Sequence, residues 1–309
     1  MSVLVDDAMM AEAVRAAGLS MEGATDGPAA LASPSYRALE SRSVLTGGAF
    51  VKRMHPEMRD GFDLGAAMAC ATMAGEAGAG PRVIWSDAGM GAIAMEALGP
   101  GWITLRQDGL QRPEVVEGAM AAMRRLHAGP EIPSRFDPFA QIDRLIAAFG
   151  AEGVARPDDI LWLRRVIGMA EGLAEGVVPA PCRNDGSASN LMAGPEGQVM
   201  LVDFDRAGMN DPLYDVGCLL AEVTDHERDM RAGYIAYAGA FDEAGFARAR
   251  LWSHVDDMLH ALWARLMAHR SERRSVEWIK YGEWRLLRLR IALSHPLYEE
   301  KIRLTGEAA

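Results

Sequence analysis

The sequence predicts an α+β chain of two lobes, a small N-terminal lobe built on a β-sheet and a larger, mostly helical C-terminal lobe. Three observations predict it. The first hundred residues hold short strand-like runs punctuated by glycine turns, around a single Ala- and Met-rich helix. Beyond residue ~110 apolar residues fall mostly at helical spacing. Within that helical part, residues 182–217 break the pattern with two short apolar strands flanked by acids and an amide. The division falls between residues 1–98 and 99–309.

In chain order, residues 4–18 place Leu4, Ala8, Ala11, Val14 and Ala17 on one helix face, and Gly18 ends it. Residues 22–35 are rich in Gly, Ala, Ser and Pro. Strand-like runs follow at 36–39, 43–45 and 49–54, with Thr46-Gly47-Gly48 as a hairpin turn. In the last run Phe50, Lys52 and Met54 share one face, and Val51 and Arg53 the other. A helix covers 62–77, a strand 82–85, and a strand with a bend 93–99. Residues 113–127 carry Val116, Met120, Met123 and Leu126 at helical spacing. Phe136-Asp137-Pro138-Phe139 starts the next helix, and residues 157–175 read as a third. Residues 214–223 form a buried helix, and the C-terminal third is helical again.

Composition narrows the function classes. The 309 residues suffice for two lobes with their own cores. A net charge of −11 argues against a nucleic-acid partner and suits a cationic small molecule. Cys70, Cys182 and Cys218 lack metal-ligand spacing and read as buried free thiols of a reducing compartment. No apolar run approaches the ~18 residues of a membrane span, and no basic-apolar leader opens the chain, so the expectation is a cytoplasmic protein without a membrane partner.

The chemistry is concentrated in residues 182–217. Leu191-Met192 and Val199–Leu201, joined across Gly194-Pro195-Glu196-Gly197, read as a β-hairpin. A hairpin returns the chain to its start, so Asp185 and Asn190 before it should meet Asp203 after it. Phosphoryl transfer needs such a cluster. Mg²⁺ takes hard oxygen ligands, here Asn190 and Asp203. A separate carboxylate, Asp185, orients the attacking hydroxyl and accepts its proton. A lone D-x-x-x-x-N is equally a capped polar turn, but the joint pattern with a strand ending in D-F-x matches the paired catalytic and metal loops of kinases.

The stretch Cys182-Arg183-Asn184-Asp185…Asn190, then Asp203-Phe204-Asp205, then Ala207-Gly208-Met209-Asn210-Asp211-Pro212-Leu213-Tyr214-Asp215, resembles the choline/ethanolamine kinase branch of the aminoglycoside-phosphotransferase-like superfamily. One departure is Arg183, where that branch usually has His. The resemblance implies a protein-kinase-like fold with ATP in the cleft between the lobes. It implies that the loop 30–35 lies over the phosphates, with Ser33 and Ser35 as donors, although the branch's glycine pattern is absent there. Lys52 would hold the α- and β-phosphates. Arg53 is the alternative from the residues alone, and family position favours Lys52. Glu96 to Leu98 would meet the adenine edge through the backbone. The glutamate that pairs with this lysine in the family is missing from Gly65-Ala66-Ala67-Met68-Ala69. Either Asp63 substitutes or something else holds Lys52. His127 reads as a packed residue, Asp215 as a partner of the catalytic-loop backbone, and Asp205 as an acid behind the metal or facing the substrate.

Trp263 and Tyr281 match aromatic positions of the choline pocket, where cation–π attraction would hold a quaternary ammonium, and tryptophans at helical spacing equally fill a core. The implied activity is an ATP- and Mg²⁺-dependent kinase for a hydroxyl of an amino alcohol such as choline or ethanolamine. One alternative is an aminoglycoside or other small-molecule phosphotransferase, with an acidic acceptor pocket. The other is a nucleotide-binding pseudokinase, favoured by the missing helix acid, the thin glycine loop and Arg183.

Overall fold

The computed structural model describes residues 3–31 and 38–306. Helix α1 (Val3–Ala16) opens the chain, and Gly18 follows it at φ +75°, a left-handed conformation that glycine takes without strain. Strands β1 (Thr25–Asp26), β2 (Ser41–Thr46), β3 (Ala49–Met54), β4 (Val83–Asp87) and β5 (Ala92–Glu96) form one antiparallel sheet in the order β1-β2-β3-β5-β4. The β2–β3 turn uses Gly47 and Gly48, both at positive φ, as a tight two-residue hairpin requires. Of the expected strand at 36–39, only residues 38 and 39 are described, and they are not in a strand.

One face of this sheet packs on α1. Val44, Ala49, Val51, Ala92 and Ala94 close on Met10, Ala13 and Val14. Arg53 points the same way and meets the α1 residues Glu12 (2.9 Å) and the Met9 carbonyl. The alternation of β3 therefore leaves Phe50, Lys52 and Met54 on the opposite face, lining a cavity. Helix α2 (Leu64–Glu76) starts on Asp63, whose carboxylate accepts from the Ala66 N–H at 3.0 Å.

The larger part begins with the two-residue strand β6 (Ile103–Thr104), then α3 (Pro113–His127) and α4 (Pro138–Ala151), the latter capped by Asp137. Residues 157–175 are not one helix. Helix α5 spans Ile160–Ile167, and a 3₁₀ stretch runs on from Gly168 to Ala174. Two glycines, Gly168 and Gly172, within seven residues weaken the α-helical register there. Strand β7 (Ala180–Cys182) leads into the 183–190 loop. Strands β8 (Leu191–Ala193) and β9 (Val199–Leu201) form the expected hairpin, extended by β6 to a sheet in the order β6-β8-β9. Strand β10 (Gly208–Asn210) pairs antiparallel with β7. Helices α6 (Pro212–Val223), α7 (Glu227–Ala238), α8 (Glu243–Arg270), α9 (Trp278–Leu293) and α10 (Tyr298–Gly306) complete the chain. The main core runs through α3, α6 and α8, and a satellite of Met54, Met58, Met267, Val276 and Trp278 joins the first sheet to α8 and α9. No described helix is long and apolar enough to cross a membrane. All three cysteines are buried and free.

Candidate active site

The 182–190 loop is held from behind by the motif that follows it. Asp215, fully buried in α6, accepts the backbone N–H groups of Arg183 (2.8 Å) and Asn184 (2.7 Å). His127 packs beside it, with Nε2 3.0 Å from Asp215 and Nδ1 2.8 Å from the Tyr237 hydroxyl. Asn210 donates to the Asn184 side chain at 2.8 Å. Asp211 caps α6 and receives the Trp252 indole N–H at 2.8 Å, and Tyr214 donates to Asp256 at 2.8 Å. Gly186 lies so close to α6 that a Cβ there would come within 2.4 Å of the Cys218 carbonyl carbon. Only glycine lets the loop lie this low.

Arg183 is fully buried. Its guanidinium donates to the carbonyls of Asn190 (2.6 Å), Val202 (3.1 Å) and Asp185. It thus ties the loop to both ends of the β8–β9 hairpin. Asp185 accepts the Ser187 N–H at 2.7 Å and the Asn190 amide at 2.9 Å. Because the Asn190 nitrogen is spent on Asp185, its oxygen is the atom available to a cation. Asp203 sits at φ +64°, strained for a non-glycine residue, a feature that clusters at functional sites.

Two cavities meet at these residues. The larger, ≈ 250 Å³, is lined by Phe50, Lys52, Met68, Leu98, Trp102 and Asp205 among others. The smaller, ≈ 90 Å³, is lined by Glu40, Asp185, Glu222, Asp256, Tyr281 and Trp284 among others. Asn190 and Asp203 belong to both, Lys52 only to the larger and Asp185 only to the smaller. A carboxylate and an amide oxygen at the junction form the hard donor set that suits Mg²⁺.

Lys52 Nζ donates to Asp203 at 2.6 Å and to Asp205 at 2.7 Å. Burial alone would lower the lysine pKa, but the two carboxylates raise it above its ordinary value. Burial alone would raise Asp203, and Lys52 overrides it and holds the carboxyl below its ordinary value. Asp205, buried beside ionised Asp203, is pushed up to about 6. Asp63 does not substitute for the missing helix acid, since it is exposed and caps α2. Asp205 lies against Lys52 on the side of the larger cavity, not in the smaller one.

The remaining sequence candidates are placed unevenly. Ser33 and Ser35 lie outside the described residues. Glu96 and Leu98 line the larger cavity at the end of β5, and the Glu96 side chain pairs outward with Arg82. Tyr281 lines the smaller cavity with its hydroxyl 3.0 Å from His260 Nδ1, and burial raises its phenol pKa. Trp263 is not among the residues lining that cavity. Its ring is covered by Arg206, 4.9 Å from the centroid, whose other side stacks on Phe62 at 5.0 Å. Trp263 is therefore no free aromatic wall. Arg285 lies near the rings of Tyr281 (6.0 Å) and Trp284 (5.9 Å), and Arg288 over Trp284 at 5.0 Å.

Sequence reasoning missed Glu40, Glu222, Asp256, Arg206 and Arg285. They come from separate elements and form no local pattern. Only Arg206, adjoining Asp205, carried a positional hint.

Residues 42–252, more than half of the chain, match the model of the phosphotransferase enzyme family, APH. The chain belongs to this family. No curated protein matches this APH-family chain in sequence. A choline/ethanolamine kinase family protein from Mesorhizobium loti superposes with TM-score 0.77 at 22% identity, covering 87% of this chain and 90% of that one. Choline kinase LicA from Streptococcus pneumoniae gives 0.66 at 16% identity over 87% and 90%. APH(2")-IIa in its gentamicin complex gives 0.63 at 16% over 93% and 96%. These likenesses establish a two-lobed protein-kinase-like fold for the APH-family chain.

Proposed function

We propose that the protein is an ATP- and Mg²⁺-dependent small-molecule kinase that phosphorylates a hydroxyl of an amino alcohol such as choline or ethanolamine. The observation that carries this reading is the pair of cavities meeting at Asn190 and Asp203, with the phosphate-holding cation Lys52 on one side and the base Asp185 on the other. The nucleotide occupies the larger cavity, with its base toward Glu96 to Leu98 and its phosphates toward Lys52. Asp203 and the Asn190 oxygen would hold Mg²⁺, which would neutralise charge on the phosphates. The acceptor occupies the smaller cavity. Asp185, oriented by the Ser187 N–H and the Asn190 amide, accepts the hydroxyl proton. The acceptor oxygen then bonds to the γ-phosphorus as the bond to the β,γ-bridging oxygen breaks, and ADP leaves.

The acceptor cavity is lined by five carboxylates, Glu40, Asp185, Asp203, Glu222 and Asp256, and by one cation, Arg285, which pairs with Glu222 and Asp256, so acid remains in excess. This supports a cationic acceptor. The arginines near the tyrosine and tryptophan rings leave little open aromatic surface for a quaternary ammonium. The carboxylates suit a primary ammonium that donates N–H bonds, so ethanolamine-like acceptors are favoured over choline. The aminoglycoside reading keeps one supporting observation, the acidity of the cavity. The pseudokinase reading keeps the absent helix acid.

The test is ADP release from Mg-ATP over ethanolamine, its methylated relatives, choline, aminoglycosides and a blank. Asp185→Asn should lower turnover by at least about 10²-fold while leaving the unfolding midpoint near wild type. Near-normal turnover in that variant would sink the assignment of the base.

A further inference from the structure

Lys52 is buried, and a buried ammonium needs a counter-charge. Helix α2 turns Leu64, Ala67, Met68 and Ala71 toward the cavity that holds Lys52, and none of them is an acid. Among the described residues, only Asp203 and Asp205 form ion pairs with this lysine. Asp203 has a second demand on it, because it stands at the cavity junction beside Asn190. A carboxylate that gives its charge to a divalent cation cannot remain a full counter-ion for Lys52. Asp205 has no such conflict. Of the two cavities that meet at the junction it lines only the larger, and its Oδ2 lies 2.7 Å from the ammonium.

We infer that Asp205 is the positioning residue for Lys52. It takes over the lysine when Asp203 turns to the metal, a duty that no α2 acid performs in this chain. The inference rests on the kinase reading for the metal role of Asp203. It makes the aim of the lysine depend on the 203–206 loop rather than on where α2 sits. That loop is itself clamped, since Arg206 is stacked between Phe62 and Trp263 and lies 3.6 Å from Glu40. The metal ligand, the lysine anchor and a link between the two lobes thus fall within four consecutive residues.

The test measures binding of a fluorescent ATP analogue with and without Mg²⁺ at pH 8, on wild type, Asp205→Asn and Asp205→Glu. Without Mg²⁺, Asp203 still pairs with Lys52, so Asp205→Asn should bind within about twofold of wild type. With Mg²⁺ added it should fall behind by about tenfold or more, the loss of one charge-assisted bond. Asp205→Glu keeps the charge and should recover most of that deficit. Adding Met68→Glu to Asp205→Asn, which puts an acid on α2 in the cavity that holds the lysine, should recover part of it. An equal deficit with and without Mg²⁺, or none in either condition, would overturn the inference. Binding is read without turnover, so failure of every acceptor in the activity panel would count against the kinase reading and leave this result separate.

Discussion

Replacing Arg183 by Leu tests whether the departure from the family's histidine is structural support for the site. The guanidinium is fully buried and donates to three carbonyls, those of Asp185, Asn190 and Val202. Leucine occupies part of the volume and donates nothing. The Asn190 carbonyl still accepts the Val202 N–H at 3.0 Å, so only the Asp185 and Val202 carbonyls are left bare, and at about 1–3 kcal/mol each the gross loss is roughly 2–6 kcal/mol. Two effects reduce it. Burying a guanidinium is itself unfavourable, and the Arg183 Nε has no hydrogen-bond partner, so wild type does not collect the full benefit. The net expectation is a loss of about 2–4 kcal/mol in urea unfolding at pH 7.5, with turnover falling because Asp185 and Asn190 lose their spacing from Asp203. Arg183→Lys, one donor group in place of a fork, should fall between. A loss below about 1 kcal/mol in Arg183→Leu would refute the reasoning, because leaving the Asp185 and Val202 carbonyls bare costs more than that.

Two further predictions follow from the acceptor side. Burial, reinforced by Asp203, Asp205 and Asp185 and opposed by Arg206, pushes Glu40 from its ordinary 4.5 up to about 7. The folded state then holds the Glu40 proton more tightly than the unfolded chain, so stability falls as pH rises from about 4.5 to about 7, by up to roughly 3 kcal/mol. Glu40→Gln should flatten that slope in denaturation at pH 5 and pH 8, and a wild-type-minus-variant difference that stays constant between the two pH values counts against it. Tyr214→Phe removes the 2.8 Å bond to buried Asp256 and should cost about 1–2 kcal/mol in thermal unfolding while leaving nucleotide affinity within about twofold; an unchanged melting temperature would contradict the geometry.

Much of the site was legible because its chemistry is local in sequence. The D-x-x-x-x-N spacing, the hairpin and the D-F-D turn put Asp185, Asn190 and Asp203 within twenty residues, and a hairpin can only return its ends to one place. The period of β3 separated Lys52 from Arg53, and the structure keeps them on opposite faces, with Arg53 bonded to α1. Asn210, Asp211, Tyr214 and Asp215 were readable as a motif, and each turns out to pin one piece of backbone or one side chain. The long helices followed from apolar spacing, except at 157–175, where periodicity continued past glycines that the backbone did not tolerate as one α-helix.

What the sequence by itself determined is the cluster of Asp185, Asn190 and Asp203 and the order of the elements, since both depend on neighbours a few residues apart. Only the tertiary structure decided what surrounds that centre. Lys52 finds its partners some 150 residues away, a distance at which no spacing rule operates. Glu40, Glu222 and Asp256 converge on the smaller cavity from just before β2, from α6 and from α8. From sequence Trp263 read equally as a ligand wall or as core, and Arg206 lies on its ring, because a buried guanidinium needs an apolar face as much as a ligand cation does. Side chains compete for such faces through space, and the winner is set by packing, which a one-dimensional pattern does not encode.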